Sequence, residues 1–254
     1  MDILIGKEQG ILSIEFNRPD KKNAITVAMY QVMADALHDA ENDAGVRAVL
    51  ILGKPDIFTA GNDLEDFMKN QSEDVSALPV WHFMHTLAGT SKPVVAAVSG
   101  NAVGIGTTLL LHCDLVYAAD NAKFSLPFSQ LGLCPEFASS LLLPQLAGYQ
   151  RAAEKLMFGE SFDAAEAREM GLVNRVVPLA DLPAFARGKA AMLAALPASS
   201  LRVTKRLMKG QVSAVQTCMK EEIRHFGEML SSPEAKEAFT AFFEKRKPDF
   251  RKFG

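Results

Sequence analysis

Val94-Val95-Ala96-Ala97-Val98-Ser99-Gly100-Asn101-Ala102-Val103-Gly104-Ile105-Gly106-Thr107-Thr108-Leu109 is the stretch that decides the fold. Its first five residues are continuously apolar, the pattern of a strand buried on both faces. A glycine-rich turn follows, and then a helical stretch begins. A turn of this kind can present backbone N–H groups to an anion. It is not a dinucleotide-binding fingerprint, because Leu109 stands where a third Gly or Ala is needed. No Gly-Lys-Ser/Thr follows, so it is not a phosphate-binding P-loop either. What remains is a small-residue loop from strand to helix, aimed at something other than a dinucleotide.

Working outward, further strand patterns flank this one. Residues 46–52 form an apolar run broken only by Arg47, and 115–118 and 172–177 form two more. Ile11–Phe16 alternates, with Leu12, Ile14 and Phe16 on one face and Ser13 and Glu15 on the other, as in a half-buried strand. Between the strands, Val27–Asn42 places Met29, Met33 and Leu37, with Val32, Ala36 and Ala40, at helical spacing, with Thr26 as its N-cap. Strands separated by helices point to an α/β fold with a mostly parallel sheet and right-handed crossovers. From Asp181 onward only helical patterns remain, rich in Ala, Leu, Met, Lys and Glu and punctuated by Pro183, Pro197, Gly210 and Pro233. The chain therefore divides into a core over 1–180 and a helical C-terminal subdomain over 181–254. In 234–247, Ala238, Phe239, Phe242 and Phe243 share one side, which reads either as core or as a subunit interface.

Two further segments can carry chemistry. Phe58-Thr59-Ala60-Gly61-Asn62-Asp63-Leu64 follows the 46–52 strand; Gly61 permits a tight turn and Asp63 can cap the next helix. Taken alone it reads as a plain turn whose outward N–H groups stay free. Phe124 to Ala138 contains Glu136 among apolar neighbours. That carboxyl either caps the helix starting near Ala138 or, buried in apolar surroundings, gains the raised pKa of a general base. His82 and His85 are three apart on a helix, a spacing that can bind metal, but no third ligand is evident and the structural reading prevails.

The bulk numbers exclude several classes. With 254 residues, 48% hydrophobic, the chain can bury a large core. Its 27 Lys and Arg against 30 Asp and Glu give a net charge of −3, which argues against a nucleic-acid binder. Cys113, Cys134 and Cys218 show no ligand spacing and read as free thiols of a reducing compartment. The N-terminus lacks the pattern of a signal peptide, no apolar run is long enough to span a membrane, and Lys252-Phe253-Gly254 is not a peroxisomal address. The expectation is a cytoplasmic protein.

Taken together, the chain resembles the crotonase (enoyl-CoA hydratase/isomerase) superfamily over nearly its whole length. The matches include Asn17-Arg18-Pro19, Asn23-Ala24, the turn from Ala60 to Asp63, the 100–109 loop, Cys113-Asp114, Gly171-Leu172-Val173, and the closing Glu244-Lys245-Arg246-Lys247-Pro248-Asp249-Phe250. The resemblance implies a repeated ββα spiral with a helical C-terminal region, assembled as a homotrimer or a dimer of trimers. It implies an acyl-CoA substrate, no separate cofactor, and an oxyanion hole made by the amides of Asn62 and Ile105. Each such donor is typically worth ~3 kcal/mol in the transition state. It also places the Ala60 carbonyl at the adenine amino group, and Lys21 and Lys22 at the nucleotide end of CoA. By themselves the two lysines read as a solvated turn. The closing residues carry a local basic surplus, which reads either as a solvated helix end or as a second attraction for CoA phosphates.

The departures from the pattern choose the reaction. Hydratases of the superfamily use two glutamates to activate water, and this chain has Thr108 and Phe128 at those places. Glu136 instead matches the single carboxylate of peroxisomal-type Δ3,Δ2-enoyl-CoA isomerases, with Thr59-Ala60-Gly61-Asn62-Asp63-Leu64, Ala102-Val103-Gly104-Ile105 and the run from Pro127 to Glu136 as the local matches. The resemblance then implies that Glu136 moves a proton from C2 to C4 of a 3-enoyl-CoA. Leu126, Phe128, Leu131 and Leu133 are expected to keep water out, and the Leu64 to Pro79 region with Trp81 and Leu87 to set the pocket depth. Other crotonase reactions and a non-catalytic acyl-CoA-binding role are the alternatives.

Overall fold

The computed structural model of the chain describes residues 1–69 and 77–253. The described strands form two sheets. Strands β1 (Ile3–Glu8), β2 (Ile11–Phe16), β3 (Ala48–Leu52), β5 (Val94–Val98), β7 (Leu115–Ala119) and β10 (Arg175–Val177) lie side by side in that order. Strands β4 (Ile57–Thr59), β6 (Asn101–Val103), β8 (Lys123–Ser125) and β9 (Phe162–Asp163) form the second sheet. Pairing is parallel except at β1–β2 and β8–β9. Three times the chain leaves the large sheet, adds a strand to the small one and continues into helix: β3 to β4 and α2 (Leu64–Lys69) and α3 (Pro79–Gly89), β5 to β6 and α4 (Ile105–Thr108), and β7 to β8 and, after a longer segment, α5 (Ser139–Ala147). This is the ββα spiral of the crotonase type.

The continuous apolar runs have a direct cause. Val49 and Ile51 of β3 and Val94, Ala96 and Val98 of β5 join one core with Met29, Met33 and Leu37 of α1 (Val27–Asn42) and Phe83 and Leu87 of α3. Leu50 and Leu52 of β3 and Val95 and Ala97 of β5 point the other way, onto Ala186 and Ala190 of α8 (Leu182–Ala195). Both faces are covered, so no polar alternation is needed. Where the outer face meets only partial cover, alternation returns: Leu12, Ile14 and Phe16 are fully buried while Ser13 and Glu15 are half-buried. Helix α1 begins where its cap requires, with the Thr26 hydroxyl accepting from the Met29 amide at 3.3 Å.

Two expectations need correction. The 100–109 loop is not a simple turn from strand to helix, because Asn101–Val103 pairs with β4 and β8, as the second strand of a ββα unit, before α4 begins. The strand expected over 172–177 shortens to β10. The amides of Leu172 and Val173 both bond to the Ala167 carbonyl, closing a turn behind α7 (Ala164–Glu169), so these buried residues are core but not strand.

Helices α6 (Tyr149–Phe158) and α7 precede β10, and after β10 the described elements are helical, with α8, α9 (Ala198–Met208), α10 (Val212–Leu230) and α11 (Pro233–Phe243). The apolar stripe of α11 divides: Ala238 and Phe239 are buried, whereas Phe242 and Phe243 stay 59% and 45% exposed. Among the described residues no helix is long and apolar enough to cross a membrane.

Candidate active site

A cleft of about 940 Å³ runs between the two sheets' loop ends and the C-terminal helices. Its wall contains all six residues singled out in the sequence: Lys21, Lys22, Ala60, Asn62, Ile105 and Glu136. They come from three ββα units and from the loop after β2. The fold brings them together by bracing each loop against the next.

The first loop is held from below. Asn23 is buried and donates to the carbonyls of Ile57 and Phe58 at 3.1 and 3.0 Å, while Thr59 donates to the Asn23 carbonyl at 2.6 Å. The Gly61 carbonyl accepts from the Ile25 amide and the Asp63 amide donates to the Ile25 carbonyl, at 2.8 and 2.9 Å. These bonds straddle Asn62 and leave its own amide without an acceptor among the described residues. The Asn62 side chain accepts from the buried Tyr30 hydroxyl, so it is anchored in the core. Asp63 caps α2 by accepting from the Asp66 amide at 3.1 Å, and it also pairs with Arg18 at 2.7 Å.

The second loop mirrors this arrangement. Gly104 has φ of 56° and precedes Ile105, the first residue of α4; Gly61 has φ of 86° and precedes Asn62. The Ile105 amide opens its helix and likewise donates to no described acceptor. Each free amide thus follows a glycine in a backbone conformation that other residues rarely adopt.

Glu136 stands at the apolar end of the cleft, 4% exposed, with its Oε1 bonded to nothing described. Burial pushes its carboxyl up to about 8, the nearby Glu222 carboxylate adds in the same direction, and the Thr108 hydroxyl opposes in lesser measure. Thr108 is itself fully buried, and its hydroxyl makes no full hydrogen bond among the described residues. The other carboxylates of the wall differ: Asp63 is held below the ordinary range by Arg18 and the α2 amides, against the pull of its own partial burial, and Glu65 is exposed.

Glu136 does not cap the following helix. That work falls to Glu222 of α10, whose carboxylate accepts from the amides of Ala138 and Ser140 at 2.5 and 3.0 Å and from the Ser140 hydroxyl at 2.6 Å. Sequence reasoning missed Glu222. The signal was present: it lies three residues after Met219 and four before Phe226, both buried, so it occupies a core position of an amphipathic helix. Tyr30 and Arg18 also went unassigned.

Phe128, Leu131 and Leu133 line the cleft as expected, together with Phe67, Phe226 and Phe239. Leu126 does not; it is buried in the core behind them. Trp81 and Leu87 pack in or against that core as well, outside the cleft wall. Leu64 lines the cleft, and residues 70–76 of the segment expected to set its depth lie outside the described residues. At the mouth, Lys21 and Lys22 are exposed and line the same cleft as Lys247 and Arg246 of the C-terminal tail, the last of these paired with Glu237 and Glu244 at 2.5 and 2.6 Å. The cleft is therefore basic at one end and apolar at the other. His85 packs its ring on Trp81 at 4.5 Å, and no metal-ligand cluster forms among the described residues.

The chain is similar to known proteins over most of its length. A family model described as enoyl-CoA hydratase/isomerase matches residues 6–252. The chain is 41% identical over 212 residues to enoyl-CoA delta isomerase 2 of Rattus norvegicus, a match covering 82% of this chain and 54% of that protein. It thus spans about half the length of that relative. It is 32% identical over 249 residues to the probable enoyl-CoA hydratase echA8 of Mycobacterium bovis, covering 98% and 97% of the two chains. The solved structure of an enoyl-CoA hydratase/isomerase from Pseudoalteromonas atlantica T6c superposes with a TM-score of 0.94 at 42% identity, covering 98% of this chain and 100% of the other.

Proposed function

The chain belongs to the enoyl-CoA hydratase/isomerase family, and we propose that within it the protein is a Δ3,Δ2-enoyl-CoA isomerase working through one base, Glu136. One observation carries the choice. Among the described residues Glu136 is the sole buried carboxyl in the cleft wall, and Thr108 and Phe128 occupy the places where hydratases of the family hold their water-activating glutamates. Neither a threonine hydroxyl nor a phenyl ring can serve as a base for water.

The mechanism follows from the geometry. The thioester carbonyl accepts from the free amides of Asn62 and Ile105, which cost no reorganisation as charge moves onto the oxygen. This acidifies C2 of a 3-enoyl thioester. Glu136 takes a C2 proton and returns it to C4, and the conjugated 2-enoyl thioester results. A carboxyl with a pKa near neutrality suits both halves, since it must accept and release the same proton. Phe128, Leu131 and Leu133 keep water from the dienolate. The CoA end lies at the mouth, with the Ala60 carbonyl accepting from the adenine amino group and Lys21 and Lys22 near the phosphates.

CoA enters as part of the substrate, and no further cofactor is called for. We also propose assembly as a homotrimer or a dimer of trimers. Val203, Leu207 and Met208 leave apolar surface exposed on α9, and sedimentation analysis reads the assembly directly.

The test compares two substrates on the wild-type protein. Conjugation of trans-3-hexenoyl-CoA without hydration of crotonyl-CoA is the expected pattern. Hydration of crotonyl-CoA at a comparable rate would move the assignment to a hydratase.

A further inference from the structure

We propose that Glu222 is a positioning residue of this site, clamping the strained turn that carries Glu136 from both sides and so fixing where the base's carboxyl stands. The proposal rests on the reading of Glu136 as the base.

The turn is unusual. Phe137 and Ala138, the two residues after Glu136, have φ of 59° and 55°, left-handed values that non-glycine residues hold only when surrounding contacts impose them. Helix α5 begins directly afterwards and has no cap of its own, because Ala138 has no side chain able to supply one. The Glu222 carboxylate replaces that cap with its three hydrogen bonds to Ala138 and Ser140. The backbone of the same residue grips the other side of Glu136: the Cys134 thiol donates to the Glu222 carbonyl at 3.6 Å. Behind the turn, His112 meets the Phe137 carbonyl at 2.8 Å and stacks on its ring at 3.9 Å.

Glu222 is 7% exposed and absent from the cleft wall, so it acts through Glu136 and not on substrate. The groups that face this pair are few. Tyr30 of α1 and Thr108 of α4 face Glu136, and Cys134 adjoins both carboxyls. Ser140 of α5 and, on its own helix, Cys218 face Glu222. His112 is neutral, burial having lowered it to about 3. Burial raises the Glu222 carboxyl, but its hydrogen bonds from Ser140 and Ala138 oppose that rise, whereas the Thr108 hydroxyl is the one group opposing the rise at Glu136. Burial is the larger cause that holds the proton on Glu136, and the Glu222 charge beside it adds in the same direction. Through this contact the C-terminal helix α10 governs the base.

The experiment uses the full-length protein as wild type, Glu222→Gln, Glu222→Asp and Glu136→Gln. Infrared difference titration follows the carboxyl band that is missing in Glu136→Gln, and needs no substrate. Its midpoint is expected to fall by about one pH unit in Glu222→Gln, which removes the neighbouring charge. Glu222→Asp keeps the charge and shortens its reach, so it lowers kcat on trans-3-hexenoyl-CoA by about 10-fold while the midpoint stays. KM stays within about two-fold in both variants, because the residue does not touch substrate. An unmoved midpoint in Glu222→Gln, or wild-type kcat in both variants, would overturn the proposal. Absence of isomerase turnover in the wild type would instead sink the reaction assignment, leaving the infrared midpoint to decide the role of Glu222.

Discussion

Gly61 lies against the carbonyl of Val103: a Cβ built on Gly61 would stand 2.8 Å from that oxygen. This contact joins the loop of the first ββα unit to the loop of the second, and it sets the Asn62 amide beside the Ile105 amide in one wall. Gly61→Ala meets both the clash and an unfavourable φ of 86°. The loops must separate, and the two donors no longer converge on one oxygen. kcat is expected to fall by about 100-fold, the size of losing one preorganised donor. Steady-state kinetics on a variant that keeps its circular-dichroism spectrum check this. A wild-type kcat would remove the paired amides from the mechanism.

The raised Glu136 carboxyl gives a pH dependence whose sign is defined. In the proposed mechanism Glu136 must be ionised to act, and a group titrating at about 8 is roughly a tenth ionised at pH 7. kcat/KM should therefore rise with pH and level off above 8. Stability runs the opposite way. Folding raises this pKa above its ordinary 4.5, so the folded state is favoured below that value and loses the advantage as pH climbs to about 8. Glu136→Gln removes the titration. Its melting temperature should exceed that of the wild type by more at pH 8 than at pH 5, as calorimetry at the two pH values would reveal.

Lys21 and Lys22 stand exposed at the basic mouth. Their joint replacement by alanine should raise KM about 2- to 5-fold with kcat kept, since exposed charge pairs are worth at most about 1 kcal/mol. Raising the salt concentration should shrink the difference between wild type and variant, because screening removes what the mutation removes. A KM ratio independent of salt would mean the lysines serve the fold of the loop instead.

The parts of this site differed in how readily the sequence disclosed them. Strand β5 and helix α1 were legible to the residue, because each is long enough for its periodicity and cap to register. The strands of the small sheet, each two or three residues, carry no period, and Asn101–Val103 looked like turn because of its flanking glycines. Glu136, Asn62 and Ile105 emerged from ordered motifs. Glu222 did not, because a glutamate in Lys220-Glu221-Glu222-Ile223-Arg224 looks solvated until the fold shows it buried between Met219 and Phe226. Long-range capping across 84 residues leaves no local trace.

The most direct measurement is turnover of trans-3-hexenoyl-CoA by wild type and Glu136→Gln, followed by absorbance of the conjugated thioester, with CoA binding measured on both. The expected result is conjugation by the wild type, its loss in Glu136→Gln, and equal CoA affinity. Conjugation at an undiminished rate by Glu136→Gln would contradict the assignment of Glu136 as the base.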